Sequence, residues 1–351
     1  MDTLADKLPY FGFDSETGAI WLKDGSATLS LKITPRDCSS LTDDDLEQLR
    51  FGLTPVLGHL PEGSVFQALL IRERSKAETD EVYCRWKQAH VHAEDPIRGD
   101  ARQSLFEFRR ALLEKKFESG NVFQTRCYIT LRILPVRKAS LGKTLGGFAH
   151  LASRLVKGVK HGARTRQEIL HDLESGLGSL QVGLEALGFN VTSVAHEERM
   201  RVIYEWFNPE RAKSLPAPTE LHGQTLSDRV ALSDLIEDKA GLAIGRTRIA
   251  IASLKSLPEV SIPAAVSTLS SVPIAYSLFF TIYVLPQTEE RERLIRKQRL
   301  AQGMASGNLV RNLMAEAQLK DIEDTLTSLI SSGEKLLAGS FQMVGLGAGT
   351  I

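Results

Sequence analysis

The sequence predicts an α+β protein in which antiparallel sheets are flanked by helices. Three observations carry that prediction. Strand and helix patterns intermingle along the 351 residues without a regular β-α-β alternation. Two stretches, "AIWLKDGSATLSLKIT" (19–34) and "GLAIGRTRIAIASL" (241–254), read as hairpins, with apolar runs on either side of a glycine-containing turn. A third stretch, 166–188, has leucines at 170, 173, 177, 180, 184 and 187, which is helical spacing.

In chain order, the first hairpin turns at Lys23-Asp24-Gly25-Ser26. Thr42 then caps a helix whose first turn is Asp43, Asp44 and Asp45, with carboxylates at the positive end of the helix dipole. Leu46, Leu49, Leu53 and Leu57 give that helix one apolar face. A strand is expected at Ser64–Ile71, then two charged helices over 76–118 broken near Asp95-Pro96, then a strand at Arg126–Leu134. The leucine spacing of the helix at 166–188 lasts under three heptads and is interrupted by Gly176, Gly178 and Gly183, so it reads as a core-facing helix and not a coiled coil. The prolines and glycine of "LPAPTELHGQ" (215–224) mark a linker, which divides the chain into subdomains 1–215 and 222–351. Beyond the second hairpin come a short helix at Pro263–Ser270, an apolar strand at 274–285, a charged helix from 288, and a long helix from Asn308 to Leu337. The closing "SFQMVGLGAGTI" reads as a strand at its beginning, as expected of a fragment.

Composition is globular, with 42% apolar and 25% charged residues and a formal net charge of zero. Three dispersed cysteines, Cys38, Cys84 and Cys127, argue against a disulfide framework or structural zinc. The amino terminus lacks the basic and apolar regions of a signal peptide. Residues 260–288 carry no charge, but only Ile274–Leu285 is densely apolar, too short for a bilayer core of about 30 Å. Its β-branched and aromatic residues favour a buried strand.

Gly142-Lys143-Thr144 has the form of a phosphate-loop ending. The motif needs a glycine five residues earlier, where the backbone folds around phosphate, and that position is Arg137. Nucleotide binding at this site is therefore rejected. "HVHAE" (90–94) places its histidines two apart, which on a helix is not one face, so no metal site is assigned. His171-Asp172 and Glu197-Glu198 read as solvated helix positions, and no catalytic constellation emerges.

One segment is electrostatically distinct. From Ser119 to Gln167 there is no Asp or Glu, and the formal charge is +10. Its central part carries Arg137, Lys138, Lys143, Arg154, Lys157, Lys160 and Arg164. Phe148, Leu151, Leu155 and Val159 recur at helical spacing, so the segment predicts a basic amphipathic helix over Phe148–Val159. Three settings suit it: a helix packed on its own domain, an anionic membrane or acidic partner, or a nucleic-acid backbone. The scarcity of aromatics for stacking on bases weakens the last.

The order of several loose patterns carries a family resemblance. They are "LPYFGFDSETGAIWLKDGSATLSLKI", an acidic leucine helix, "LPEGSVFQALLIRER", "LESGLGSLQVGLEALGFNVTSV", "EWFNPERA", "SLPEVSIPAAVSTLSSVPIAYSLFFTIYVLP" and "DIEDTLTSLISSGEKLLAGSFQMVGLG". Together they resemble the amino-terminal half of the TraC-type (VirB-type) ATPases of type IV secretion and conjugative transfer, over essentially the whole chain. The resemblance implies a module that docks a RecA-like motor at the cytoplasmic face of the inner membrane, meets channel subunits there and supports oligomer assembly. The motor, with its ATP and magnesium, is expected outside this chain, which is expected to hold no cofactor and to be inactive alone. The rival expectations are a stand-alone adaptor without a motor and a nucleic-acid-binding module using 119–167.

Overall fold

The computed structural model describes residues 3–34 except 15, 41–75, parts of 80–88, 96–135 except 121, 164–255 except 219, 220, 222 and 240, residue 269, and 272–306, 313–331 and 335–348. Its centre is one sheet. The strands are β1 (Tyr10–Phe13), β2 (Ile20–Leu22), β3 (Ala27–Thr34), β4 (Ser64–Glu73), β5 (Gln124–Ile133), β6 (Asn190–Ser193), β7 (Leu235–Asp238), β8 (Gly241–Ile244), β9 (Thr247–Ser253), β10 (Tyr276–Val284) and β11 (Leu337–Ala348). They lie in the order β1-β2-β3-β5-β4-β10-β11-β9-β8-β7, with β6 beside β2 on the outer edge of β3. Every pairing is antiparallel. The α+β expectation holds, with a single large sheet in place of several.

Both predicted hairpins form. Gly25 (φ 81°) and Gly245 (φ 57°) occupy the left-handed conformation that their turns require. Asp24 reinforces the first turn by accepting from the Ser26 N–H at 3.0 Å. The apolar stretch expected as a buried strand is β10, held between β4 and β11. That pairing crosses the expected 215–224 boundary, because β4 comes from the first span and β10 from the second. No helix among the described residues is long and apolar enough to cross a membrane. The last predicted helix is shorter than expected: it stops at Ser331, and Leu337 opens β11. β11 is not an isolated beginning of a strand, because ladders on both sides, to β10 and β9, satisfy its backbone.

The helices are α1 (Leu4–Lys7), α2 (Asp43–Gly58), α3 (Pro96–Glu118), α4 (Arg166–Ala186), α5 (His196–Phe207), α6 (Leu226–Val230), α7 (Gln287–Ser306) and α8 (Leu313–Ser331). Four of them open with the same device, a threonine N-cap and an acidic residue three positions on that bond reciprocally: Thr3/Asp6, Thr42/Asp45, Thr165/Glu168 and Thr225/Asp228. The leucine helix α4 buries Ile169, Leu173, Leu177, Leu180 and Leu184 on one face of the sheet, against Leu31, Ile129, Leu131 and Ile133. Gly176 permits that approach: a Cβ there would lie 2.8 Å from Leu131 Cδ2.

A second, smaller core gathers Leu4, Leu8, Ile20 and Leu22 with Met200 and Tyr204 of α5 and Leu226 and Val230 of α6. Asn208, fully buried, ties the end of α5 to this core: it donates to Tyr204 O at 2.9 Å and accepts from Leu232 N at 3.1 Å. The expected helix at Pro263–Ser270 lies outside the described residues except Leu269, and "HVHAE" lies wholly outside them.

Candidate functional site: a cleft beneath helix α5

Strand alternation gives the sheet two unlike faces. Odd positions of β3 and β5 point to α4. Their even positions, Thr28, Ser30, Tyr128, Thr130 and Arg132, point the other way, joined there by Gln67 of β4, Thr281 of β10, and Ser340 and Gln342 of β11. Helix α5 is held above this second face by two glutamates one heptad apart. Glu198 accepts from Lys32 Nζ and from the Tyr128 hydroxyl, both at 3.0 Å. Glu205 pairs with Arg126 at 3.0 Å, and Arg126 also meets Glu73 at 2.8 Å. The expectation that Glu198 is simply solvated is corrected: α5 turns this carboxylate down onto the sheet.

These bridges leave a cleft of about 480 Å³ between helix and sheet. Its floor is polar but mostly self-satisfied. Ser30 and Thr130 share a hydroxyl hydrogen bond of 2.9 Å, and Gln67 donates to Thr281 at 3.1 Å. Arg132 donates to Ser26 at 2.9 Å and is paired with Asp24. The roof comes from α5, where Arg199, Val202, Ile203 and Trp206 follow the i, i+3, i+4, i+7 spacing of one helical face. Trp206 meets Phe279 edge-on, with centroids 5.8 Å apart.

Two roof groups have no partner among the described residues. Arg199 is 6% exposed and makes no hydrogen bond or ion pair with any described residue; its Nε and Nη1 are buried orphans. Trp206 Nε1 is likewise buried without an acceptor among the described residues. Burial pushes the Arg199 guanidinium down to about 10, with Glu197 acting in the opposite sense, so it stays cationic at neutral pH. Elsewhere, burial pushes the Cys127 thiol up to about 11, which leaves it protonated and no nucleophile.

Of the residues predicted from the basic segment, Arg137, Lys138, Lys143, Phe148, Arg154, Lys157 and Lys160 lie outside the described residues, as do the expected helix Phe148–Val159 and Gly142-Lys143-Thr144. Arg164 is described, and it is turned inward: its side chain is 5% exposed. It pairs with Asp172 at 3.2 Å and donates to Leu134 O at 3.2 Å and Glu62 O at 3.1 Å. Asp172, expected to be solvated, is thus a structural partner. The Arg164 N–H also donates to Pro135 O at 2.7 Å. The chain therefore leaves the end of β5 and returns to the same point before α4, with Arg164 as the clasp. Sequence reasoning missed the cleft. The available signal was Arg199, a cation on the apolar stripe of "EERMRVIYEWF".

The fold and its cleft define a mixed α+β protein built on one antiparallel sheet. The family described as TraC protein matches residues 4–349, and the chain belongs to that family. Its place is thus in type IV secretion and conjugation. A comparison with curated proteins finds no match.

Proposed function

We propose that this chain is the non-catalytic amino-terminal module of a type IV secretion or conjugative-transfer ATPase, docking the motor to the inner-membrane channel complex and supporting oligomer assembly. The observation that carries this reading is the family match over residues 4–349, the span in which the basic segment sits. Two features support the non-catalytic part. Arg137 stands where a phosphate loop needs glycine. The ladders among the described residues are antiparallel, whereas a phosphate-loop motor is built on parallel strands joined by crossover helices.

The docking surface in this reading is the basic segment: Arg137, Lys138, Lys143, Phe148, Arg154, Lys157 and Lys160 facing anionic lipid or an acidic channel subunit at the cytoplasmic face of the inner membrane. The clasp at Pro135 and Arg164 supports it, since it brings the two ends that flank this segment to one point. Cosedimentation with anionic and neutral vesicles tests the lipid contact. Anionic vesicles should pull down the wild type, and a folded Arg154→Glu, Lys157→Glu, Lys160→Glu variant should stay in the supernatant. Failure of folded wild type to bind would remove direct lipid contact and leave protein-mediated docking.

A further inference from the structure

The least explained group in the described structure is Arg199. A buried, unpaired cation is costly, because it gives up hydration and gains no counter-charge. The other buried arginines are compensated: Arg126 by Glu73 and Glu205, Arg164 by Asp172 and two carbonyls. Arg199 has no acidic residue among the cleft lining, and Arg132, the other cation there, is already matched by Asp24. The cleft thus holds one uncompensated positive charge, a free indole N–H from Trp206, and apolar walls from Leu69, Val202, Ile203 and Phe279. Its volume of about 480 Å³ is within the range of small-molecule sites, about 300–1,000 Å³.

We propose that this cleft binds an amphipathic carboxylate, a small monoanion whose carboxylate is taken by Arg199 and whose apolar body lies between α5 and the sheet. A single negative charge fits one uncompensated guanidinium, and the planar fork of arginine matches a carboxylate. A phosphate dianion would call for a second free cation, which the described lining does not offer. Water is displaced from Leu69, Val202 and Phe279 by the apolar body, which supplies affinity, while the arginine supplies selection by charge. The inference goes beyond the docking role and does not depend on it: loss of vesicle binding would leave it standing.

The test uses the full chain with decanoate as probe and decanol as its uncharged match, both below micelle-forming concentrations, followed by calorimetry. Decanoate is expected to bind at least about ten-fold more tightly than decanol, a preference of the size one charge-assisted contact gives. Arg199→Met should remove that preference while the melting temperature holds or rises, since the orphan charge is gone. Arg199→Gln repeats the test in a second background. Arg201→Met, two residues away and 54% exposed, should leave the preference unchanged. Equal binding of the two probes by wild type, no decanoate binding by folded wild type, or an unchanged preference in either folded Arg199 variant would overturn the proposal.

Discussion

The two faces of the sheet are covered by helices in opposite ways. On one, α4 lies directly on the strands through leucines and a glycine, and the contact is apolar and closed. On the other, α5 stands off the strands on carboxylate bridges, and the space beneath it is polar below, apolar above and open enough to hold a ligand. The comparison teaches that the same strands can serve a core and a cleft, because alternation lets each face be composed separately. The closed face carries a packed core, and the stand-off face leaves a cleft.

That contrast can be broken most severely by a pair of truncations. Leu173→Ala on α4, at a fully buried position, should cost about 2–5 kcal/mol in urea unfolding. Thr281→Ala on the cleft floor should cost about 1 kcal/mol, the loss of one hydrogen bond with Gln67. Comparable losses would show that the cleft face is as tightly determined as the core.

Two glycines two residues apart, on different sides of α4, sharpen the closed face. Gly176→Ala drives a methyl against Leu131, so the overpacking cost of about 1–3 kcal/mol should outweigh the helix-propensity gain. Gly178→Ala meets open space and should stabilise by about 0.5–1 kcal/mol. Opposite signs in thermal melts are the expected result; two stabilised variants would mean that α4 does not approach the sheet this closely.

The arginines sharpen the stand-off face. Arg126→Met strands two carboxylates, but both are partly in solvent, so the cost should be nearer 1–2 kcal/mol than that of a fully buried pair. Arg199→Met strands nothing and should be neutral or stabilising in the same melts.

The smallest expected effect is a pH dependence at the α5 bridge. Burial works to raise the Glu198 carboxyl, but hydrogen bonds from Lys32 and Tyr128 outweigh it and hold it below the usual value. A depressed folded pKa means that the stabilisation is present above the unfolded pKa and is lost as pH falls through the folded one. Stability of the wild type should therefore fall more steeply with acid than that of Glu198→Gln. Parallel acid profiles would show that the bridge contributes nothing.

Much of this was legible before any coordinates. Thr42 and its aspartates, the Asp24-Gly25 turn, the leucine spacing of α4 and the apolar run of β10 are local signals, and each forms as read. Failures cluster where a residue's partner lies on another element or loop. Asp172 and Glu198 looked solvated because Arg164 lies on the preceding loop and Lys32 and Tyr128 lie on other strands. The helix expected to run to Leu337 stops early because β10 and β9 offer that segment's backbone two ladders, a gain that no local propensity records.

The sequence by itself determined the class of fold, most of the elements, the missing phosphate-loop glycine and the family resemblance. These rest on periodicity, capping and order, all carried by neighbours along the chain. Only the tertiary structure decided that one sheet joins both halves, that Arg164 is a clasp and not a surface charge, and that Arg199, over a cleft, has no partner among the described residues. Charge compensation depends on distance through space, and a cation's partner, or its lack of one, is not written beside it in the sequence.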